Sequence, residues 1–201
     1  MRRTLKIIIG LLAGVVVVGA AAYFIVLPRL QPYVFHGQLI QSSQAAPSIE
    51  LDGSNGSTVR LTDYEGKVVV LYFGYTYCPD VCPITLAKLD GAMDILGDKA
   101  DDVQVIMVSV DPERDTPEVL EEYMAHFNPT FLGVTGDTST IDRVATVYGV
   151  YYEAGGGSDA TGYLVAHTAT VMVVDKDGYL KLLLPFEGTA EEIASDLDNL
   201  L

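Results

Sequence analysis

Both cysteines of the chain, Cys78 and Cys82, lie in one short stretch, Tyr77-Cys78-Pro79-Asp80-Val81-Cys82-Pro83. Two thiols three residues apart can close as a disulfide, clamp a soft metal, or sit as inert buried neighbours. Pro83 lacks a backbone N–H and suits the first turn of a helix, where that donor would go unpaired. Cys82 therefore opens a helix and Cys78 stands at its entrance, both near the positive end of the dipole, where thiolates are favoured. On a regular helix this i, i+4 spacing separates the Cβ atoms by about 5–6 Å. A disulfide wants ~3.5–4.5 Å. A small adjustment of the first turn allows oxidation, but the relaxed spacing suits two sulfurs converging on one ion. A two-residue gap would have pointed to a disulfide oxidoreductase. Soft thiolates select copper(I), and imidazole suits copper in either oxidation state. Two thiolates alone leave such an ion under-coordinated, so a metal reading demands a third ligand.

Three histidines are available. His36 lies in a Pro- and Gly-containing segment after the apolar N-terminus, where a solvated role is expected. His126 falls in the last turn of a predicted helix, where an imidazolium complements the negative end. His167 follows a glycine-rich stretch and directly precedes a predicted strand, so by position it is equally a ligand or an ordinary loop residue.

The elements that must hold these groups are short and regular. Ser48–Leu51 and Thr58–Leu61 alternate around Asp52-Gly53-Ser54-Asn55-Gly56, the pattern of a hairpin. Lys67–Phe73 is a continuous apolar, β-branched run, expected of a strand buried on both faces. A helix over Val81–Leu96 follows the cysteines, with Leu86, Leu89, Met93 and Leu96 on one stripe. Val103–Val110 is a second buried strand. Thr116-Pro117-Glu118 supplies an N-cap, a first-turn proline and an acid at the start of a helix reaching His126. A short strand over Phe131–Val134 and a helix over Thr138–Tyr148 come next, then a flexible loop through Ala154–Asp159. Thr168–Val174 and Tyr179–Leu184 form a second hairpin around Asp175–Gly178, and Thr189-Ala190-Glu191-Glu192 is a capping box opening the last helix. A βαβ unit followed by a terminal antiparallel hairpin and helix predicts an α/β, thioredoxin-like sandwich with an N-terminal hairpin.

Ahead of this domain, Ile7–Leu27 is 21 residues without a charge. At ~1.5 Å per residue it spans roughly 31 Å, close to the hydrocarbon core of a bilayer. A cleaved signal peptide would have a shorter apolar core, and Arg2-Arg3 has a faint twin-arginine look. In each case the positive N-terminus stays cytoplasmic and the rest is exported. The expected organisation is a cytoplasmic N-terminus (1–6), a single transmembrane anchor (7–28), a tether (29–46) and one domain (47–201) on the extracytoplasmic side. Arg2, Arg3, Lys6 and Arg29 account for four of the 12 basic residues, leaving eight against 27 acids, or −19, for residues 30–201. Such a domain repels phosphate backbones, which excludes nucleic acid as a partner, and favours partners with basic or metal-bearing surfaces.

Taken together, Tyr77–Pro83, then Val110-Asp111-Pro112-Glu113-Arg114-Asp115-Thr116-Pro117, then Val165-Ala166-His167-Thr168 resemble, in order and spacing, the three signatures of the Sco/SenC family. Those are membrane-anchored copper-binding proteins that help assemble the dinuclear copper centre of cytochrome c oxidase subunit II. The resemblance implies Cys78 and Cys82 as thiolate ligands and His167 as the imidazole ligand of copper. It implies oxidase subunit II as the recipient, together with a copper donor and a thiol reductant. The Asp111–Pro117 signature is expected to be a structural turn and cap, and Asp80 a helix N-cap. Where the family usually has Asp before the histidine, this chain has Ala166.

Two functions follow. A metallochaperone would hold copper(I) between Cys78, Cys82 and His167, with copper(II) also admitted by the imidazole, and pass it on by ligand exchange. A thiol-disulfide oxidoreductase would instead attack with Cys78, resolve with Cys82, keep the oxidase subunit's cysteines reduced, and use His167 only as a modulator. A peroxidase is less compatible with the acidic surroundings, and a structural zinc site normally takes four ligands.

Overall fold

The computed structural model describes residues 2–26, 32–40, 45–158 and 162–201. It divides into two compact units, Met1–Val34 and Phe35–Leu201. Among the described residues, the first contains one helix, α1 (Arg2–Val26), in which Lys6–Phe24 is long and apolar enough to cross a membrane. Residues 27 and 28, where the anchor was expected to end, lie outside the described residues.

The second unit is built on a mixed sheet. Its strands are β1 (Gln38–Leu39), β2 (Glu50–Gly53), β3 (Thr58–Arg60), β4 (Val68–Gly74), β5 (Val103–Ser109), β6 (Leu132–Thr135), β9 (Val171–Val174) and β10 (Leu180–Leu184). A separate antiparallel pair is formed by β7 (Tyr152–Ser158) and β8 (Gly162–His167). Four α-helices, α2 (Val81–Leu96), α3 (Pro117–Ala125), α4 (Thr138–Val147) and α5 (Ala190–Asp198), and two short 3-10 helices complete the unit among the described residues. The sheet order is β1-β10-β9-β4-β5-β6-β2-β3. β4 runs parallel to β5, and β5 to β6, while β9 pairs antiparallel with β4.

All seven residues of β4 are buried, because helices cover both faces. The Tyr72 hydroxyl reaches the Cys82 sulfur on α2. Its neighbour Phe73 points the opposite way, as successive strand residues must, and meets Tyr148 at the end of α4 with ring centroids 5.6 Å apart. α2 also packs on α5, and α3 on β6. This is a thioredoxin-like sandwich carrying the expected N-terminal hairpin, β2–β3.

Two expectations change. The tether assigned to residues 29–46 is partly structural: Gln38 and Leu39 pair with Leu183 and Leu182 on the edge of the sheet, and Ala45 bridges Tyr179. His36, expected to be solvated, is tied down with them. Its backbone N–H and Nδ1 both meet Asp196 Oδ1, at 3.0 and 2.9 Å, and the Gly37 N–H donates to Oδ2 at 2.8 Å. Asp196 is fully buried on α5, so its carboxylate needs these donors, and no local pattern shows that they come from 160 residues away. The second change concerns the glycine-rich loop. Ala154 and Gly155 pair with Val165 and Leu164, so residues 152–158 form a strand; only 159, at the end of the expected loop, lies outside the described residues along with 160 and 161.

Candidate metal centre

Cys78 and Cys82 enter the site from the segment that leaves the carboxyl end of β4. Helix α2 begins at Val81, which places Cys82 in its first turn and Cys78 ahead of it. The helical i, i+4 spacing therefore does not apply. Cys78 instead curls back so that its sulfur accepts the Cys82 backbone N–H at 3.4 Å. The position preceding the helix belongs to Asp80, but its side chain makes no capping hydrogen bond. The sulfur of Cys78 takes over one of the amide donors that a carboxylate cap would satisfy.

The third residue arrives on a different arm. His167 ends β8, and its Nε2 lies 3.4 Å from the Cys82 sulfur. The Nδ1 atom lies 3.2 Å from the Thr168 carbonyl. A carbonyl only accepts, so Nδ1 carries the proton and Nε2 turns its lone pair toward the sulfurs. The two sulfurs and the histidine nitrogen lie within 4.8 Å of one another. Rings frame the imidazole on two sides: Tyr75 with centroids 5.8 Å apart and Tyr72 at 6.1 Å, both edge-on.

The two thiols are electrostatically unequal. Cys78 is half-buried, Cys82 fully buried. The hydrogen bond between them, with further help from the backbone amides of Asp80 and Cys82, outweighs burial and brings the Cys78 pKa down to about 3. That same hydrogen bond, together with burial, pushes Cys82 well above the ordinary thiol range. One proton is thus shared unequally by the pair: Cys78 is the thiolate, Cys82 the donor. The buried Tyr72 hydroxyl donates to the Cys82 sulfur at 3.3 Å. Such an arrangement supplies two thiolates and one neutral imidazole to a soft ion, or one nucleophilic thiolate to a disulfide.

Of the sequence-predicted site residues, Cys78, Cys82 and His167 are brought together. His126 stays apart at the C-cap of α3, its Nδ1 bonded to the Glu122 carbonyl at 2.6 Å. Ala166 is exposed and lies opposite Glu153 in the β7–β8 ladder.

The model of the SCO1/SenC family matches residues 38–201, most of the chain and all three motifs. The chain belongs to the SCO1/SenC family. A SCO2-like protein of Rickettsia felis is 33% identical over 180 residues, covering 87% of this chain and 86% of that one. Among solved structures, apo Sco1 from Thermus thermophilus superposes with a TM-score of 0.75 and 41% identity, over 84% of this chain and 98% of its own. Bradyrhizobium japonicum ScoI with copper bound gives a TM-score of 0.72 and 37% identity, over 79% of this chain and 100% of its own.

Three supporting residues of this SCO1/SenC domain were not singled out by the motifs. Tyr72 reads in sequence as one more position of a buried strand. Gly74 does carry a signal, a glycine closing a run of bulky strand residues, which marks a close approach. A Cβ there would stand 2.7 Å from the Tyr72 ring and 3.1 Å from the Cys82 sulfur. Tyr75 links the two arms, because its hydroxyl accepts the Val165 N–H at 3.1 Å.

Proposed function

We infer that this chain is a membrane-anchored copper carrier that delivers copper to cytochrome c oxidase subunit II for its dinuclear centre. The observation that carries the reading is the convergence of two sulfurs and an imidazole nitrogen within 4.8 Å. Copper(I) fits that donor set in softness and number, and copper is named in the solved structure of a relative 37% identical to this chain. Cys78, Cys82 and His167 hold the ion; copper is cargo, and the imidazole also admits copper(II).

The unequal burial of the ligands orders the exchange. An incoming partner sulfur reaches the ion on the side of Cys78 and His167, which are half-buried, and Cys82, fully buried, is the last to let go. The chain must arrive reduced, so a thiol reductant and a copper donor act before it in an oxidising compartment. Residues 7–28 anchor it in a single pass, with the Arg2, Arg3 and Lys6 side in the cytoplasm and the domain outside.

A second reading has an observation of its own. The strongly acidified Cys78 beside a high-pKa Cys82 is also the asymmetry of an attacking and a resolving thiol, as in a thiol-disulfide oxidoreductase. Anaerobic mixing separates the two. Copper(I)-loaded chain is combined with the reduced, copper-free soluble domain of subunit II, and copper and free thiols are counted on each protein. The carrier moves copper with every thiol still reduced. Failure to transfer, together with rapid oxidation of Cys78–Cys82 by the disulfide form of subunit II in the absence of copper, would favour the oxidoreductase.

A further inference from the structure

The cysteines and the histidine come from chain segments 85 residues apart, yet their donor atoms lie within 4.8 Å of one another. Something must fix the His167 hairpin against the cysteine segment. The Asp111–Asp115 turn, which follows β5, touches both.

Asp115 is fully buried and faces the cysteine side. Its Oδ1 accepts from the Thr76 hydroxyl at 2.6 Å, and its Oδ2 from the Thr76 N–H at 3.1 Å. The Ser109 hydroxyl donates to Oδ2 as well, at 2.6 Å. Thr76 stands two residues before Cys78, so this carboxylate fixes the entrance to the thiol turn.

Arg114 faces the hairpin. Its Nε donates to Asp111, and Nη1 donates to the Tyr163 carbonyl on β8 at 3.0 Å. The guanidinium lies 3.7 Å from the Tyr163 ring centroid and 4.5 Å from that of Tyr77, which neighbours Cys78. Asp111, itself buried, closes the loop by accepting the Tyr163 hydroxyl on its other oxygen at 2.6 Å. A planar cation with forked donors can hold a carboxylate, a carbonyl and two rings at once; an ammonium cannot. Nη2 is buried and makes no hydrogen bond within the described protein. A turn that served only to connect β5 to α3 could avoid that cost with a smaller side chain.

We propose that the Asp111–Asp115 turn is a two-armed bracket: Arg114 is a positioning residue that sets His167 through the β8 strand, and Asp115 one that sets Cys78 through Thr76. The proposal deepens the three-ligand reading given above and rests on it. It makes the site preformed, with the imidazole at the sulfurs before copper arrives.

The test uses the full chain in detergent micelles, with copper(I) alone as the probe. In the metal-free protein, nuclear Overhauser contacts between the Tyr75 and His167 rings report the position of the hairpin. Arg114→Lys keeps the charge and loses the fork; it is expected to abolish those contacts. Chelator competition should then show copper(I) bound about tenfold more weakly, the lower end of what outer-shell partners are worth. In a His167→Ala background, Arg114→Lys should cost nothing more, whereas the loss caused by Asp115→Asn should persist there. Should Arg114→Lys fail to fold, Tyr163→Phe cuts only the link to Asp111 and is read in the same way. Intact Tyr75–His167 contacts in the folded variant, or losses at Arg114 and His167 that add in full, would overturn the bracket. If His167→Ala leaves copper binding unchanged while Arg114→Lys still abolishes the ring contacts, the three-ligand reading fails and the bracket stands.

Discussion

At the scale of single residues, the chemistry lies in the inequality of two thiols. Cys78 takes the helix-entrance amide and the hydrogen bond from Cys82, and its pKa falls to about 3. Its thiolate is therefore complete well below neutrality. An ordinary thiol titrates near 8.5, and its alkylation speeds up roughly tenfold per pH unit below that value. In the reduced, copper-free protein, Cys78 should react with iodoacetamide at a rate nearly independent of pH between about 5 and 8, slowing only as the pH falls toward the Cys78 pKa. Cys82, buried and protonated, should stay unmodified; peptide mapping by mass spectrometry over that range reads both. A tenfold rise per unit at Cys78 would place its pKa where a free thiol's lies. The three converging residues were legible because each sits in a recognisable motif. Tyr72 was not, because nothing in a buried apolar run says which side chain will meet a sulfur across the sheet.

Elements decide whether those residues meet. The β4–α2 connection was readable in advance, since a buried strand, a proline in the first helical turn and an apolar stripe all point to the same local structure. The β7–β8 hairpin was not. Gly155, Gly156 and Gly157 have little strand propensity of their own, and their order comes from the partner strand that carries Tyr163 and Val165. One bond that moors that hairpin runs from the buried Val165 N–H to the Tyr75 hydroxyl. Tyr75→Phe removes the acceptor and leaves a buried donor unpaired, at a cost of about 1–3 kcal/mol. Hydrogen exchange at the Val165 amide should accelerate by roughly tenfold to a hundredfold, since each 1.4 kcal/mol is a factor of ten, while amides of β4 and β5 keep their protection. Unchanged exchange at Val165 would mean that other contacts hold the arm.

The whole molecule combines an acidic domain with an apolar helix. Composition and charge were legible at once, and so was an apolar helix from Ile7 onward, although the observed helix already starts at Arg2. The docking of the expected tether was not, because Asp196 and its donors at His36 and Gly37 lie at opposite ends of the domain's chain. If α1 stays as an anchor, the intact chain should remain in the membrane pellet after alkaline carbonate extraction. Release of a shortened chain would make the segment a cleaved leader. The central claim is that two thiolates and one imidazole hold a single copper(I) ion. Titration of the reduced full chain in detergent with copper(I), against a competing chelator, tests it most directly when run beside His167→Ala. One tight equivalent, weakened by about tenfold or more without the imidazole, is the predicted result. Weak binding, or binding indifferent to His167, would contradict the account and leave Cys78 and Cys82 as a redox pair.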